Sequence, residues 1–309
     1  MDPPFLFVGC WNNPYNRAVE KVIDAINADP IPTLVLGGDN IYPEKIPDPS
    51  GGKDKKKYNI AKLVAGIATI KGKKIYAALG NHNIDVAAVE AYELNDKPAY
   101  MYAPYKMGSG SGPRAPWIMP DYNYVVPFTG YNLVVIDTNA VEYPERLSVL
   151  LDWLRGVIEG APYFLVQHEP YVSIRENKKA KGQIKVGALT NYNLLLDVIV
   201  TKPPMAILCA DTHNYQYGTL TYNDVTIPQY IVGTGGAEPD SFPAGYGVPA
   251  EPFNEVPGVS YKLLEISSMY GYLRVTDGPR FEFVPVSPWS GGYRRTRKNR
   301  RKKRGSRRR

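Results

Sequence analysis

The chain has 309 residues, of which 44% are apolar and 22% are charged, with a formal net charge of +7. A sequence of this length and apolar content can bury one large core, and we expect one folded domain followed by a tail. No run of about 18 apolar residues occurs, which excludes a membrane-spanning helix and predicts no membrane partner.

Strands and helices alternate through the first half of the predicted structure. A strand at 5–9 precedes a helix that Asn13 caps, that begins at Pro14 and that runs through residue 27 with one apolar face. The next predicted elements are a strand at 33–36, a polar loop at 43–57, a helix at 58–70, a strand at 74–79, a long surface loop at 98–121, a strand pair at 122–126 and 133–136, and a helix at 144–159.

The second half ends in strands. The predicted elements there are a strand at 163–166, a helix at 191–200 and strands at 205–209, 225–232, 261–266, 270–275 and 280–284. Alternating strands and helices followed by a run of strands suit two packed sheets that are flanked by helices.

All three histidines, His82, His168 and His213, follow directly or closely on a predicted strand. Asp39 comes after the strand at 33–36 and two glycines, and Tyr42 lies three residues further on. Open α/β sheets bind ligands at the carboxyl ends of their strands. One such block is usually ordinary turn chemistry or a structural histidine, whereas the repeated pattern favours a shared site.

Several blocks of the sequence resemble the motifs of the calcineurin-like metallophosphoesterases, in the family's order and rough spacing. These blocks are Gly38-Asp39-Asn40-Ile41-Tyr42, Gly80-Asn81-His82-Asn83, His168 and Asp211-Thr212-His213. The tyrosine of the first block is similar to that of the purple acid phosphatase branch. The resemblance implies a four-layer αββα sandwich, with two packed mixed sheets between helices, and one metallophosphoesterase domain over residues 1–290.

The same resemblance implies a centre of two divalent or mixed-valence metal ions, drawn from Fe, Zn and Mn. Asp39 would bridge the two ions, Tyr42 and His213 would bind the first, and Asn81 and His168 would bind the second. His82 would orient the phosphate of the substrate and protonate the leaving group. Two metal ions can activate a water and neutralise the phosphoryl oxygens, so the implied reaction is hydrolysis of a phosphate ester.

Four positions depart from the family pattern. Cys10 stands where the family has a metal-binding Asp, and its thiolate is a softer donor that favours zinc over magnesium. Asp211 replaces a His and is a candidate ligand of the second ion. Asn83 replaces an acid and Asn12 stands where the branch has Gly, and both are candidates for substrate contact.

The N-terminal region and the cysteines indicate an intracellular protein, in the cytoplasm, the nucleus or a nucleoprotein particle. The first predicted strand begins close to the initiator methionine, no signal region precedes it, and no Asn-x-Ser/Thr site occurs. Cys10 and Cys209 are both predicted at strand ends near the site, which does not indicate a disulfide framework.

The positive charge is concentrated in a tail at 291–309. Residues 294–309 hold twelve of the 37 Lys and Arg and no acid, so the other 25 basic residues face 30 acidic ones, a net charge of −5. So many like charges predict a disordered segment that contacts nucleic acid or another polyanion, and a solubilising tail is the alternative. The basic residues are Arg294, Arg295, Arg297, Lys298, Arg300, Arg301, Lys302, Lys303, Arg304, Arg307, Arg308 and Arg309.

Two functions therefore follow from the sequence. The first is a metal-dependent phosphoesterase whose tail contacts a polyanion. The second is a catalytically inactive relative that serves as a structural or packaging component of a nucleoprotein assembly. The residues that separate them are Cys10 and Asp211, since the first function requires the altered ligands to hold two metal ions.

Overall fold

The computed structural model describes residues 3–13, 16–42, 63–83 and 117–287. The strands of these residues are β1 Phe5–Val8, β2 Thr33–Leu36, β3 Lys74–Ala77, β4 Trp117–Ile118, β5 Tyr124–Pro127, β6 Asn132–Val135, β7 Tyr163–Val166, β8 Val172–Glu176, β9 Ile184–Ala188, β10 Ala206–Cys209, β11 Tyr215–Tyr222, β12 Val225–Val232, β13 Ser260–Ser267, β14 Tyr270–Thr276 and β15 Arg280–Val286. The helices with described ends are α1 Ala18–Ala28, α2 Pro144–Ile158 and α3 Tyr192–Ile199, and single 3₁₀ turns occur at Asn81–Asn83 and Thr138–Glu142.

Two large mixed sheets form the centre of the protein. The first has the strand order β15-β14-β1-β2-β3-β4, and the second has the order β13-β11-β12-β10-β7-β6-β5. Strands β1, β2 and β3 are parallel neighbours, as are β12, β10, β7 and β6 in the second sheet. Parallel neighbours end at the same edge of a sheet, so the loops after β1, β2, β3, β7 and β10 gather on one side of the protein.

A layer of aromatic side chains fills the space between the two sheets. Phe164 of β7 meets Phe5 of β1 edge to face at 5.4 Å between ring centroids. Tyr230 of β12 stacks on Phe281 of β15 at 4.3 Å between centroids. Offset and edge-to-face ring pairs add about 0.5–1.5 kcal/mol each to the apolar area that they bury. The aromatic contacts therefore hold the two sheets face to face.

Helices cover the outer faces of both sheets. Helix α1 packs against β14 and β15 of the first sheet, and α2 and α3 pack against each other in a second apolar core beneath the second sheet. Leu147, Leu150 and Leu154 of α2 recur at helical spacing and are buried in that core. These layers confirm the predicted four-layer αββα architecture.

Most of the predicted elements within the described ranges agree with the structure to within two residues. The exception among the helices is α1, which begins at Ala18, because residues 16 and 17 are not helical and the Asn16 side chain accepts a hydrogen bond from the Ala18 N–H at 3.0 Å. The predicted N-cap at Asn13 is therefore wrong.

Three other differences concern strands. The short strand β4 falls within the predicted surface loop at 98–121. The hairpin of β8 and β9 and the long strand β11 were not predicted from the sequence. Strands β8 and β9 pair only with each other among the described strands. Their sequences mix apolar and polar residues, so they lack the continuous apolar run by which central parallel strands are recognised.

Several predictions lie outside the described residues. They concern the helix start at Pro14, the polar loop at 43–57, the first part of the helix at 58–70, most of the loop at 98–121, the domain boundary at 290 and the basic tail at 291–309. In the part of the chain that is described, no helix is both long enough and apolar enough to cross a membrane. The intracellular location stays a prediction.

Candidate metal centre

The polar blocks of the sequence meet where strands of both sheets end. Cys10 follows β1, Asp39 follows β2, and the turn at Asn81–Asn83 follows β3 of the first sheet. His168 and Asp211 follow β7 and β10 of the second sheet. Backbone hydrogen bonds join these ends, including one across the sheets from the Gly9 N–H to the Val232 carbonyl at 2.9 Å.

The loops at this edge are closely apposed, and glycines permit the approach. A Cβ atom at Gly80 would overlap the Asp39 backbone and carboxylate, and a Cβ atom at Gly38 would overlap the His168 ring. Cys10, Asp39 and Asp211 have left-handed backbone conformations, with φ of 55°, 50° and 46°. Such conformations are uncommon for residues with a side chain and are concentrated at functional sites.

Cys10, Asp39 and His213 form a first group of metal-binding side chains. One ligand atom from each lies within 4.8 Å of the others, and the Cys10 Sγ is 3.9 Å from the Asp39 Oδ2. Cys10 is fully buried, and Asp39 is nearly so. Three donors this close, two of them buried and His213 half-buried, match the composition of a metal site.

The Tyr42 hydroxyl completes this first group. It is buried and interacts with both Cys10 and Asp39. Burial raises the pKa of Tyr42 well above its ordinary value, and the neighbouring Cys10 and Asp39 raise it further. Burial likewise raises the pKa of Cys10, with added contributions from the Asp39 and Asp211 carboxylates. A bound cation would reverse this effect, because it stabilises the deprotonated form of each ligand.

A second group surrounds the Nε2 atom of His168, which is fully buried. This atom is 3.2 Å from the Asp39 Oδ1, 3.2 Å from the Asn81 Oδ1 and 3.9 Å from the Asp211 Oδ1. Asp39 directs its other oxygen, Oδ2, toward Cys10. Its carboxylate therefore lies between the two groups, which is the position of a bridging ligand.

The charges of the second group are balanced within the protein. Burial lowers the pKa of His168, but the attraction of the Asp39 and Asp211 carboxylates outweighs it and raises that pKa to about 10. Burial raises the pKa of Asp39, but the charge of His168 and its hydrogen bond outweigh this and lower it. A cation that binds His168 has to displace the proton from Nε2.

Both histidines are oriented as metal ligands usually are. The Nδ1 atom of His168 is 2.7 Å from the Gly37 carbonyl oxygen, and the Nδ1 atom of His213 is 3.0 Å from the Glu238 carbonyl oxygen. A backbone carbonyl at Nδ1 fixes the tautomer and leaves Nε2 as the ligand atom. Burial also lowers the pKa of His213, which favours the neutral ring that binds metals. The residues present therefore fit a metal ion.

His82 lies at the rim of the two groups. Its ring is half-buried and lies 4.8 Å from the Tyr42 ring, measured between centroids. Its backbone N–H donates a hydrogen bond to the Asp39 Oδ1 at 3.1 Å. The imidazole therefore borders both the ligand groups and the surface from which a substrate would enter.

The two asparagines that are candidates for substrate contact have other contacts in the structure. The Asn83 Oδ1 is buried and accepts hydrogen bonds from the Gly80 N–H at 2.8 Å and the Asn40 N–H at 3.2 Å, so Asn83 joins two of the loops. The Asn12 amide packs against Gly66.

Two residues at the centre were not identified from the sequence. The Glu238 carbonyl orients His213, and the Asp240 carboxylate accepts a hydrogen bond from the His213 N–H at 3.2 Å. Asp240 also forms ion pairs with Lys178 at 3.0 Å and Arg175 at 3.5 Å. Both acidic residues follow the glycine-rich run at 233–236. A glycine-rich run directly after a predicted strand indicates a loop at the strand end, and this was the sequence signal that could have identified them.

The two cysteines are free and point in different directions. Cys10 lies in the first group, whereas the Cys209 thiol donates a hydrogen bond to the Tyr230 carbonyl at 3.3 Å within the second apolar core. Successive residues of a strand face opposite sides of the sheet, so Ala210 faces the centre and Cys209 does not. Cys209 is the last residue of β10, at a strand end as predicted, but its thiol lies in the second apolar core and not among the ligand groups.

Comparison with known proteins gives matches at the level of structure. No protein-family model matches the sequence, and no curated protein matches it. The chain is similar to "GAP50 the anchor in the inner membrane complex of Plasmodium", with 15% identity and a TM-score of 0.58 over 94% of this chain and 86% of that chain.

Two further structures match as well. The chain is similar to the purple acid phosphatase PPD1 from yellow lupin (Lupinus luteus) seeds, with 13% identity and a TM-score of 0.61 over 92% of this chain and 52% of that chain. It is also similar to PhoD, with 11% identity and a TM-score of 0.54 over 91% of this chain and 68% of that chain. The chain thus spans about half the length of the lupin enzyme.

Each of these matches covers more than nine-tenths of this chain. Identities this low establish the fold alone. The chain has a metallophosphoesterase-like fold.

Proposed function

We propose that the protein is a metal-dependent phosphoesterase that hydrolyses phosphate esters at a centre of two metal ions. The observation that carries this proposal is the approach of Cys10, Asp39 and His213, whose ligand atoms lie within 4.8 Å of one another at the joined strand ends. Donors of different chemistry that converge on one point are expected of a metal site.

The donors divide into two sets that share Asp39. The first set is Cys10, Tyr42, Asp39 and His213, and the second is Asp39, Asn81, His168 and Asp211. Each set has four protein donors, which is the number that metal ions with nitrogen, oxygen and sulfur ligands commonly take from proteins. A bound pair of ions would supply an activated water and positive charge at the phosphoryl oxygens.

His82 supplies the proton in this proposal. The half-buried ring lies beside Tyr42 at the open side of the centre, where the leaving group of a bound ester would face. A histidine can hold a proton near neutral pH and deliver it to the departing oxygen, a contribution of about 10²–10⁴ in rate. The Asp39 Oδ1 holds the backbone of His82 in place through the hydrogen bond from its N–H.

Hydrolysis of a generic aryl phosphate tests this proposal. We expect turnover that a chelator removes and that added divalent metal restores. Asp39→Asn should abolish turnover because the shared ligand is lost, and His82→Ala should lower it by about 10²-fold or more. Asp224→Asn is the matched control, because Asp224 is exposed in the turn between β11 and β12 and should not affect turnover. Turnover that is unaffected by Asp39→Asn and His82→Ala would sink the enzyme assignment.

A second candidate function is a structural one without catalysis. It is favoured by the altered ligand types at Cys10 and Asp211, and by the similarity in fold to GAP50, the anchor in the inner membrane complex of Plasmodium. Under this alternative the domain is a scaffold within a nucleoprotein assembly. It predicts a wild-type protein that folds but neither retains metal nor hydrolyses an aryl phosphate.

The basic tail at 291–309 has the same role in both candidates. Twelve Lys and Arg in residues 294–309 would neutralise the phosphates of a nucleic acid or of another polyanion, while the remainder of the chain has a net charge of −5. Such contact releases counterions, so it should weaken as salt is added and should not depend on sequence.

A further inference from the structure

The two donor sets of the centre differ in chemistry. The set around Cys10 contains one sulfur, one phenol oxygen, one imidazole nitrogen and one carboxylate. The set around His168 contains one imidazole nitrogen and three oxygen donors, from Asp39, Asn81 and Asp211. Thiolate ligands select zinc and other soft ions, whereas carboxylate and amide oxygens suit harder ions such as manganese.

The Cys10 sulfur lies among the donor atoms of the first group. The Sγ is 3.9 Å from both the Asp39 Oδ2 and the Asp211 carbonyl oxygen. By contrast, the Cys209 thiol is buried in the second apolar core and donates a hydrogen bond to the Tyr230 carbonyl.

The surroundings of Cys10 also protect a metal–sulfur bond. Cys10 packs with Tyr42, Ala210 and Ala237 in a small cluster in which each residue is at most 1% exposed. A thiolate that is shielded in this way is out of reach of dissolved oxidants, whose attack requires an exposed sulfur.

We infer that Cys10 is a thiolate ligand that makes the first site, which it forms with Tyr42, Asp39 and His213, selective for a thiophilic divalent ion of the zinc class. This inference rests on the metal binding in the proposed function. On binding, the Cys10 S–H bond breaks, its proton goes to solvent and a sulfur–metal bond forms, with no change of oxidation state.

Cobalt(II) is the probe that separates this inference from metal binding alone. Cobalt(II) substitutes for zinc, and a cobalt–thiolate bond gives an intense near-ultraviolet charge-transfer band, whereas oxygen and nitrogen ligands give none of that intensity. We would titrate the metal-free full-length protein with cobalt(II), record this band and count bound cobalt by elemental analysis. The variants are Cys10→Ser and Cys10→Asp, and Cys209→Ser is the matched control for the other cysteine.

The wild-type protein and Cys209→Ser should show the band, and both Cys10 variants should lack it. Cys10→Asp should still bind cobalt, because Asp tolerates the left-handed backbone at position 10 and supplies a carboxylate. In competition, Cys10→Asp should lower the preference for zinc(II) over manganese(II) at this site by about tenfold or more. Circular dichroism of each metal-free variant verifies that it is folded.

Bound cobalt without the band in the wild-type protein, or a band that persists in folded Cys10→Asp, would overturn the inference while leaving metal binding intact. A wild-type protein that binds no cobalt at all would overturn the inference together with the proposed function. The count of bound metal distinguishes these two failures.

Discussion

Gly38 allows the ligand residues to approach one another, whereas Gly72 lies in open space and serves as a comparison. Gly38 has a φ of 93°, and a Cβ atom there would overlap the His168 ring and the Gly80 backbone. Gly72 has a φ of 66° but no atom within 4 Å of its Cβ position. Comparison of alanine substitutions at these two positions therefore separates the energetic cost of a left-handed backbone from the cost of a steric overlap.

The variant Gly38→Ala should lower the free energy of unfolding by about 3 kcal/mol or more and should displace His168, because backbone strain and overlap both act. Gly72→Ala should cost only about 1 kcal/mol, since strain acts alone. Urea denaturation of the metal-free variants measures both values. Equal costs for the two variants would contradict the close approach of Gly38 to His168.

Some residues of the candidate centre could be identified from the sequence because they follow closely on predicted strands. Asp39, His82 and His168 could be selected from local patterns of apolar runs and polar residues. Asp240 could not, because its hydrogen bond to His213 joins residues that are 27 positions apart in different loops. The position of Asn83 could not be predicted either, because its amide oxygen accepts hydrogen bonds from two loops that are distant from each other in sequence.

At the scale of elements, a charged network joins the end of α1 to β14. The Asp29 side chain, which is 0% exposed, accepts hydrogen bonds from the Arg274 guanidinium at 2.7 and 3.0 Å and from the Tyr272 hydroxyl at 2.9 Å. Burial raises the pKa of Asp29, but the hydrogen bonds from Arg274 and other donors outweigh it and lower that pKa. The network is therefore strongest when Asp29 is ionised.

Replacement of Asp29 by Asn should lower the free energy of unfolding at pH 7 by about 2 kcal/mol, because Arg274, whose side chain is 31% exposed, loses its charged hydrogen-bond partner. Since the folded-state pKa is lowered, the contribution of Asp29 is present above about pH 4, the unfolded value, and is lost as the pH falls through the folded value. Urea denaturation from pH 7 to pH 3 should show the wild-type advantage shrinking in acid.

Glu282→Gln is the control for this network, because Glu282 contacts the same arginine at 2.6 Å but its side chain is 63% exposed. This variant should cost less than about 0.5 kcal/mol. A cost of Asp29→Asn that does not change with pH would show that the ionisation of Asp29 does not stabilise the network.

Buried polar side chains explain why part of the second sheet escaped prediction. Gln216 of β11 is fully buried, and its amide bonds the Ile174 N–H at 3.0 Å and the Ile174 carbonyl at 2.8 Å. Gln229 of β12 does the same for the Tyr171 N–H at 2.9 Å and the Val172 carbonyl at 2.7 Å. These glutamines attach the β8–β9 hairpin to the second sheet. A buried polar residue such as Gln216 interrupts the apolar pattern by which a strand like β11 is recognised in a sequence.

At the scale of the whole molecule, the centre exists only because two sheets are packed together. Cys10, Asp39 and Asn81 come from the first sheet, whereas His168, Asp211 and His213 come from the second. The alternation of strands and helices predicted an α/β class, and the resemblance of the ligand blocks supplied the four-layer arrangement. Strand order and the aromatic layer between the sheets depend on contacts that no local pattern encodes.

The basic tail divides the molecule into regions of opposite charge. Removal of residues 294–309 changes the formal net charge from +7 to −5. The truncated protein should lose its affinity for single-stranded or double-stranded nucleic acid and should keep its unfolding free energy and its turnover. Filter binding over a series of salt concentrations measures the effect, and the affinity of the full chain should fall steeply with salt.

A chain with a scrambled tail of the same composition is the control for this deletion. It should bind as the natural sequence does, because contacts with phosphates are set by charge and not by order. Binding that survives the deletion, or that does not respond to salt, would contradict a role of the tail in polyanion contact.

Metal content is the most direct test of the proposed centre. After reconstitution with zinc(II) and manganese(II) and removal of free metal, elemental analysis should find about two ions per wild-type chain. Asp39→Asn should retain markedly less because both sites lose their shared ligand, and Asp224→Asn should match the wild type. A folded wild-type protein that retains no stoichiometric metal, or an Asp39→Asn variant that retains as much as the wild type, would contradict the assignment of these residues as a metal centre.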